Sequence, residues 1–279
     1  MNILLFILYA AISAGALLLG FKRLPIRRGP GAGRVDGIGG RKFLHGAAFA
    51  MLLPLILKGI FCAFPRLEAG LMPIDGYAPI QRDFFLPCGI LFFAVASHLV
   101  PKRSRRSVLA LTIFMALVTA HLGWWRLGAP AAYSFPNTVD AEGVCYQSSS
   151  YTCAAASMVA LLGQMGVESS EGEMAELSGT FPDRGASFFQ VARGLRRKFE
   201  NLGRYESAHL ITPDVTELRS VPTPFLTGTK LSFLMDHMIC VLSIDEEGVT
   251  IADPLKGLVV QSQGEFTEHW LGIVVAVSR

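Results

Sequence analysis

The sequence predicts a protein of two unlike halves, a transmembrane region of four α-helices followed by an α+β domain. Charge separates the halves: residues 1–127 hold 15 Lys and Arg against 4 Asp and Glu, whereas residues 128–279 hold 10 against 18. All the long apolar runs lie in the first half. Within the second half the hydrophobic period changes from 3.6 to 2, which separates predicted helices from predicted strands.

Four apolar runs predict membrane spans. Each is close to the length that crosses about 30 Å of hydrocarbon as a helix. The alternative is a cleaved signal peptide followed by buried core helices, but the basic residues come after the first run instead of before it. Lys58 and the histidines at 45, 98 and 121 are interpreted as interfacial or packing residues. The predicted spans cover residues 3–21, 43–64, 84–100 and 108–125.

The basic loops between these runs predict an orientation. Residues 22–42 contain seven Lys and Arg and residues 101–106 contain four, so the positive-inside rule places both loops in the cytoplasm. The N-terminus, the mixed loop at 65–83 and the second half then lie outside. This predicts an integral protein of a bacterial inner membrane with an extracytoplasmic C-terminal domain. Because the positive charge belongs to the loops, the net charge of +3 does not indicate a nucleic-acid partner.

The second half is predicted to begin with helices. Residues 128–142 form a Pro- and Ala-containing linker, and residues 143–279 form the globular domain. A helix is predicted over Cys153–Met165 with Thr152 at its N-cap. Capping boxes that begin at Ser170 and Ser187 predict two further helices.

The rest of the domain alternates like a sheet. Short helical pieces are expected over 213–218 and 266–270, and an acidic turn at 245–248 joins two strands as a hairpin. Helices followed by a mostly antiparallel sheet are typical of an α+β arrangement. The predicted strands cover residues 209–212, 223–227, 238–244, 249–252, 258–261 and 273–277.

Cys153 is the first candidate functional residue. A thiol in the first turn of a helix lies at the positive end of the helix dipole, which favours the nucleophilic thiolate. Gln147, six residues earlier, is placed to donate its side-chain amide to an oxyanion beside the sulfur. A single cysteine at a helix start is more often a structural residue. These two residues alone therefore do not define a catalytic site.

Two residues of the predicted hairpin supply a base and an orienting group. His237 begins one strand and Asp253 ends the next, so pairing of the strands would place both at the same end of the hairpin. Asp253 would then orient the imidazole through one ring nitrogen while the other faces Cys153. Separately, a surface histidine and an Asp-Pro turn are ordinary features. The ordered set with Gln147 and Cys153 is what predicts catalysis.

These motifs resemble peptidase family C39. The resemblance lies in Gln147-x5-Cys153-Ala-Ala-Ala, in His237 before an apolar strand, and in Asp253-Pro-x-x-Gly257, and it covers residues 143–278. The family comprises papain-like cysteine peptidases, best known as the leader-cleaving domains of bacteriocin-exporting ABC transporters. The resemblance implies that Cys153 is the nucleophile and that His237 is the general base and acid. It further implies that Asp253 orients the imidazole, and that Gln147 and the Cys153 N–H form an oxyanion hole.

The chain departs from the family in three respects. Ala154 stands where the family usually has Gly after the cysteine, and no Walker sequence is present, so no nucleotide is expected to bind. The charge argument also places the domain outside, whereas exporter peptidase domains are cytoplasmic. The expected substrate is a peptide or protein, and whether the double-glycine specificity is kept is left open. A thiol peptidase requires no metal or cofactor.

Alternatives to a peptidase remain at the level of sequence. One is a non-catalytic peptide-binding module of the same fold, and another is a papain-like acyltransferase or amidase. The state of Cys145 is equally open: pairing with Cys240 would leave Cys153 free, and pairing with Cys153 would block it.

Overall fold

The computed structural model describes residues 56–78, 81, 85–99, 102–128, 134–181, 185–232 and 235–278. The chain divides into two compact units, residues 1–63 with 80–127 and residues 64–79 with 128–279. The described helices are α1 (Pro65–Leu71), α2 (Ile74–Tyr77), α3 (Phe85–Leu99), α4 (Lys102–Gly128), α5 (Cys153–Gln164), α6 (Glu171–Ser178), α7 (Phe188–Asn201) and α8 (Gln263–His269). The strands are β1 (Thr138–Val139), β2 (Cys145–Tyr146), β3 (Ser207–Ile211), β4 (Phe225–Ser232), β5 (Met235–Ile244), β6 (Val249–Asp253), β7 (Gly257–Gln261) and β8 (Trp270–Ser278).

The helices of the first unit do not match the predicted spans. In the part of the chain that the structure describes, no helix combines the length and the apolar character needed to cross a membrane. Helix α3 has 15 residues, about 22 Å at 1.5 Å per residue, against about 30 Å of hydrocarbon. Helix α4 has 27 residues, but it begins with Lys102, Arg103, Arg105 and Arg106, which were predicted to form a loop.

This finding contradicts the predicted four-span architecture and, with it, the predicted inner-membrane localisation and orientation. The physical reason is that uncharged length alone does not fix the ends of a helix: α4 continues through the basic residues before its apolar run. The run at 3–21 and residues 43–55 of the second run lie outside the described residues.

The second unit contains a six-stranded antiparallel sheet with strand order β3-β8-β4-β5-β6-β7. The predicted α+β arrangement of this half is confirmed, because α5, α6 and α7 precede the sheet in sequence. Strands β4 and β5 are longer than predicted and pair from Phe225 with Val241 to Ser232 with Met235. His237 consequently lies inside β5 instead of at its start.

Two buried regions stabilise this unit. Every residue of α5 from Ala154 to Leu162 is buried, as expected for a helix that is apolar on all sides. Its hydroxyl at Ser157 donates a hydrogen bond of 2.9 Å to the carbonyl of Met238 in β5, which fixes the helix against that strand. A second apolar cluster is formed by Leu218, Val221, Phe225, Ile239, Val241, Val249, Ile251, Phe266, Val274 and Ala276.

Most of the loop predicted at 65–83 instead belongs to the second unit, whose residues 64–79 contain α1 and α2. Arg66 donates hydrogen bonds to the carbonyls of Pro213, at 2.6 Å, and Thr212, at 3.4 Å. The Tyr77 hydroxyl donates to Glu68 at 2.6 Å. The Tyr77 ring meets Phe189 of α7 edge to face, with centroids 5.1 Å apart. The Tyr77 hydrogen bond to Glu68 is buried, so the folded second unit includes a segment that lies well before residue 128 in the sequence.

We expect Tyr77→Ala to lower the free energy of unfolding by about 3 kcal/mol, because it removes a buried aromatic ring. Tyr77→Phe keeps the ring and should cost about 1 kcal/mol. Denaturant unfolding of the purified chain measures both. Leu71→Ala, on an exposed side chain of α1, is the control and should change stability by less than about 0.5 kcal/mol. Equal stability of wild type and Tyr77→Ala would show that the segment does not contribute to the fold.

Candidate active site

Cys153 is the first residue of α5 and is half-buried. Thr152 occupies the N-cap position but makes no side-chain bond to the helix, which corrects the expected cap. Its Oγ1 instead exchanges hydrogen bonds with Ser149, accepting from the Ser149 N–H at 3.1 Å and donating to the Ser149 carbonyl at 3.0 Å. The loop before the helix is thereby closed on itself, and the positive end of the helix dipole is left beside the thiol.

His237 and Asp253 lie together at one end of β5 and β6. The distance from His237 Nε2 to Asp253 Oδ1 is 2.7 Å, and both residues are buried, at 4% and 7% exposure. The Leu255 N–H donates to the same Asp253 oxygen at 2.8 Å. Because Nε2 is engaged by Asp253, Nδ1 is the ring nitrogen left to face Cys153, whose thiol is close enough to raise the pKa of His237.

The electrostatics of this pair favour a charged imidazole. Burial lowers the pKa of His237, but hydrogen bonds to Asp253 and Cys153, together with their negative charges, outweigh burial and raise it to about 9. Burial also raises the pKa of Asp253, yet the hydrogen bonds from His237 and the Leu255 N–H, with the nearby charges of His237 and Lys256, hold it below its ordinary value. At neutral pH the arrangement therefore favours an imidazolium beside the Asp253 carboxylate.

The turn after Asp253 fits closely against the loop that carries Gln147. Gly257 has φ +85°, and a Cβ there would lie 2.5 Å from the Tyr146 hydroxyl, so only glycine is accommodated at this position. The Gln147 N–H donates to the carbonyl of Pro254 at 3.1 Å. The backbone of Gln147 is thus held next to Asp253, although the two residues are far apart in the sequence.

The side chain of Gln147 uses one of its two N–H donors within the loop. Its Nε2 donates to the Ser149 carbonyl at 2.8 Å, which leaves a second N–H hydrogen on the same nitrogen. Its Oε1 is buried and has no hydrogen-bond partner. An amide held in this way has a donor available for a reacting carbonyl oxygen.

Sequence reasoning missed Glu171, the first residue of α6. Its side chain is completely buried, and Oε1 accepts a hydrogen bond from the Ser148 N–H at 2.8 Å. The Ser148 hydroxyl donates to Oε2. A Glu after a capping serine ordinarily indicates a solvent-exposed helix start, so no local pattern pointed to this contact.

Cys62, Cys145 and Cys240 carry free thiols, as does Cys153. Burial, with the charges of Glu171 and Asp140, raises the pKa of Cys145 to about 12. Burial likewise raises the pKa of Cys240. Neither thiol is ionised near neutral pH, so within this domain Cys153 is the thiol suited to nucleophilic chemistry.

Residues 142–279 match the model of the Peptidase C39 family. The chain carries a Peptidase C39 domain. The processing and transport ATP-binding protein LagD for lactococcin G, from Lactococcus lactis subsp. lactis, is 26% identical over 132 residues, which cover 47% of this chain and 18% of LagD. An uncharacterised protein of Methanothermobacter marburgensis is 29% identical over 138 residues, or 50% of this chain and 89% of that protein.

Two solved structures are also similar to the C39 domain. The peptidase domain of Streptococcus ComA, a bi-functional ABC transporter involved in quorum sensing, has 18% identity and a TM-score of 0.42 over 48% of this chain and 95% of that one. A double glycine motif protease from an AMS/PCAT transporter, in complex with the leader peptide, has 19% identity and a TM-score of 0.43 over 52% and 94%.

We expect the imidazole of His237 to titrate near pH 9 in NMR spectra of the labelled chain. Asp253→Asn and Cys153→Ala should each move the titration to lower pH, because each removes a group that raises the pKa. His237→Gln assigns the resonance. Titration of wild-type His237 near pH 6.5 would contradict the predicted rise of its pKa.

The raised pKa of His237 also makes the stability of the folded domain depend on pH. The pKa of His237 in the folded state lies above its ordinary 6.5. The contribution of His237 to the free energy of unfolding is therefore complete below about pH 6.5 and is lost as the pH rises through about 9.

Proposed function

We propose that the C39 domain is a cysteine peptidase in which Cys153 is the nucleophile and His237 is the general base and acid. The observation that supports this most strongly is one buried imidazole, which hydrogen-bonds Asp253 and whose pKa is raised by both Asp253 and the thiol at the start of α5. A structural cysteine would not need a buried imidazole oriented by a carboxylate.

Acylation begins with attack of the Cys153 thiolate on the substrate carbonyl carbon. A C–S bond forms, and the carbonyl π electrons move to the oxygen as an oxyanion. The second N–H of Gln147 Nε2 and the Cys153 backbone N–H are the proposed donors to that oxyanion. The imidazolium of His237 then gives its proton to the leaving nitrogen, the C–N bond breaks, and a thioester remains on Cys153.

Deacylation uses the same groups in reverse. Neutral His237 accepts a proton from water, the hydroxide attacks the thioester carbonyl, and the carboxylic acid product leaves as the C–S bond breaks. The thiolate and imidazolium are restored. Asp253 acts through His237: its carboxylate at 2.7 Å fixes the ring orientation and favours the charged form. The proposed substrate class is a peptide or protein.

We expect Cys153→Ala to abolish acyl transfer. Two probes suffice without a known substrate: p-nitrophenyl acetate, whose p-nitrophenolate burst reports acylation, and an internally quenched peptide pool with and without Gly-Gly pairs. The variant should lower both rates at least about 1,000-fold. Cys62→Ala, which removes an exposed thiol of the other unit, should leave both unchanged. Equal bursts in wild type and Cys153→Ala would refute the proposal.

Product analysis with an added primary amine separates hydrolysis from acyl transfer to the amine. A burst with p-nitrophenyl acetate but binding without cleavage of every peptide in the pool would favour the non-catalytic peptide-binding module.

We expect Gln147→Ala to lower the burst rate about 100-fold or more through loss of an oxyanion donor. Alkylation of Cys153 by iodoacetamide has no carbonyl oxyanion, so its rate should stay within about threefold of wild type. The two rates are measured on the same preparations, with Cys153→Ala as the background for both. A parallel fall of the two rates would show that Gln147 supports the thiol and not the oxyanion.

A further inference from the structure

Glu171 makes contacts that folding of its own helix does not require. The N-terminus of α6 is already capped by Ser170, whose hydroxyl accepts a hydrogen bond from the Glu173 N–H. Glu173, two residues further on, behaves as a helix-surface glutamate and pairs with Lys198 at 2.7 Å. Glu171 instead turns inward and is completely buried. Burial of a carboxylate is costly unless its oxygens accept hydrogen bonds.

Both oxygens of Glu171 are directed to one residue, Ser148. Oε1 accepts from the Ser148 N–H at 2.8 Å, and Oε2 accepts from its hydroxyl. The N–H of Glu171 in turn donates to Asn137 Oδ1 at 3.0 Å. The carboxylate therefore ties the loop before α5 to the start of α6 by two bonds at a single point, with an orientation that one bond would not fix.

Ser148 directly follows Gln147, so this contact bears on the proposed oxyanion hole. The backbone of Gln147 is held on one side by its own N–H, which donates to Pro254, and on the other by the Ser148 N–H, which donates to Glu171. The direction of the Gln147 Cα–Cβ bond is thus set by two fixed peptide groups. Oxyanion donors lose effect when they are misplaced by about 1 Å.

We propose that Glu171 is a positioning residue that holds Ser148 and thereby directs Gln147 Nε2 at the oxyanion. This inference rests on the proposed cysteine peptidase chemistry. Glu171 touches neither the substrate nor the reacting atoms.

The test compares two rates in Glu171→Gln and Glu171→Leu in the full chain. Glu171→Gln can still accept the Ser148 N–H and should lower the p-nitrophenyl acetate burst about 3- to 10-fold. Glu171→Leu removes both acceptors and should lower the burst about 100-fold, the loss expected for an oxyanion donor. Iodoacetamide alkylation of Cys153 should stay within about threefold in both. The matched control is Glu173→Gln, the same change on the same helix, which should leave both rates within about twofold.

A double variant distinguishes positioning from general structural support. If Glu171 acts through Gln147, then Glu171→Gln added to Gln147→Ala should change the burst by less than about twofold. Multiplication of the two single effects would overturn the proposal. So would an unchanged burst in Glu171→Gln, even if Glu171→Leu fails to fold. Absence of a wild-type burst above Cys153→Ala would instead refute the underlying peptidase proposal, so the two failures are distinguishable.

Discussion

The contact between His237 and Asp253 is the interaction on which the proposed active site depends. It requires β5 and β6 to be neighbours in the sheet, with Cys240 opposite Ala252 and Val241 opposite Ile251. It also requires α5 to lie against β5, which the Ser157–Met238 hydrogen bond secures. Given these, a thiol at the first position of α5 meets an imidazole already oriented by a carboxylate. The fold brings two side chains from distant parts of the sequence, Cys153 and Asp253, next to one imidazole.

Two buried carboxylates differ in what they contact: Asp253 contacts the imidazole, and Glu171 contacts the loop before Cys153. Asp253 accepts from the imidazole and from the Leu255 N–H, so its charge raises the pKa of His237 directly. Glu171 accepts only from the loop that precedes Cys153, and it raises the pKa of Cys145. Each burial is costly, and each is offset by at least two hydrogen bonds. Asp253 therefore raises the pKa of His237, and Glu171 holds the backbone next to Gln147.

Local patterns in the sequence were sufficient for much of the second unit. Ser187 and Gln190 form the capping box that their spacing predicts, and the β5–β6 hairpin turns at the predicted acidic residues. Contacts over long sequence separations were not accessible, because no short window records them. The burial of Glu171 was not predicted, and the loop predicted at 65–83 contains α1 and α2. The uncharged run at 108–125 did not show that its helix starts at Lys102.

The start of α5 differs from the other helix starts of the described sequence after residue 150, and the difference has a physical reason. Ser170, Ser187 and Ser262 each cap their helix with a side-chain hydroxyl. Thr152 has the chemistry to do the same but is held by Ser149 instead. Forgoing a cap costs about 1 kcal/mol, and an uncapped N-terminus attracts anions. An uncapped helix start suits the proposed mechanism, in which negative charge forms first on the sulfur and then on the oxyanion.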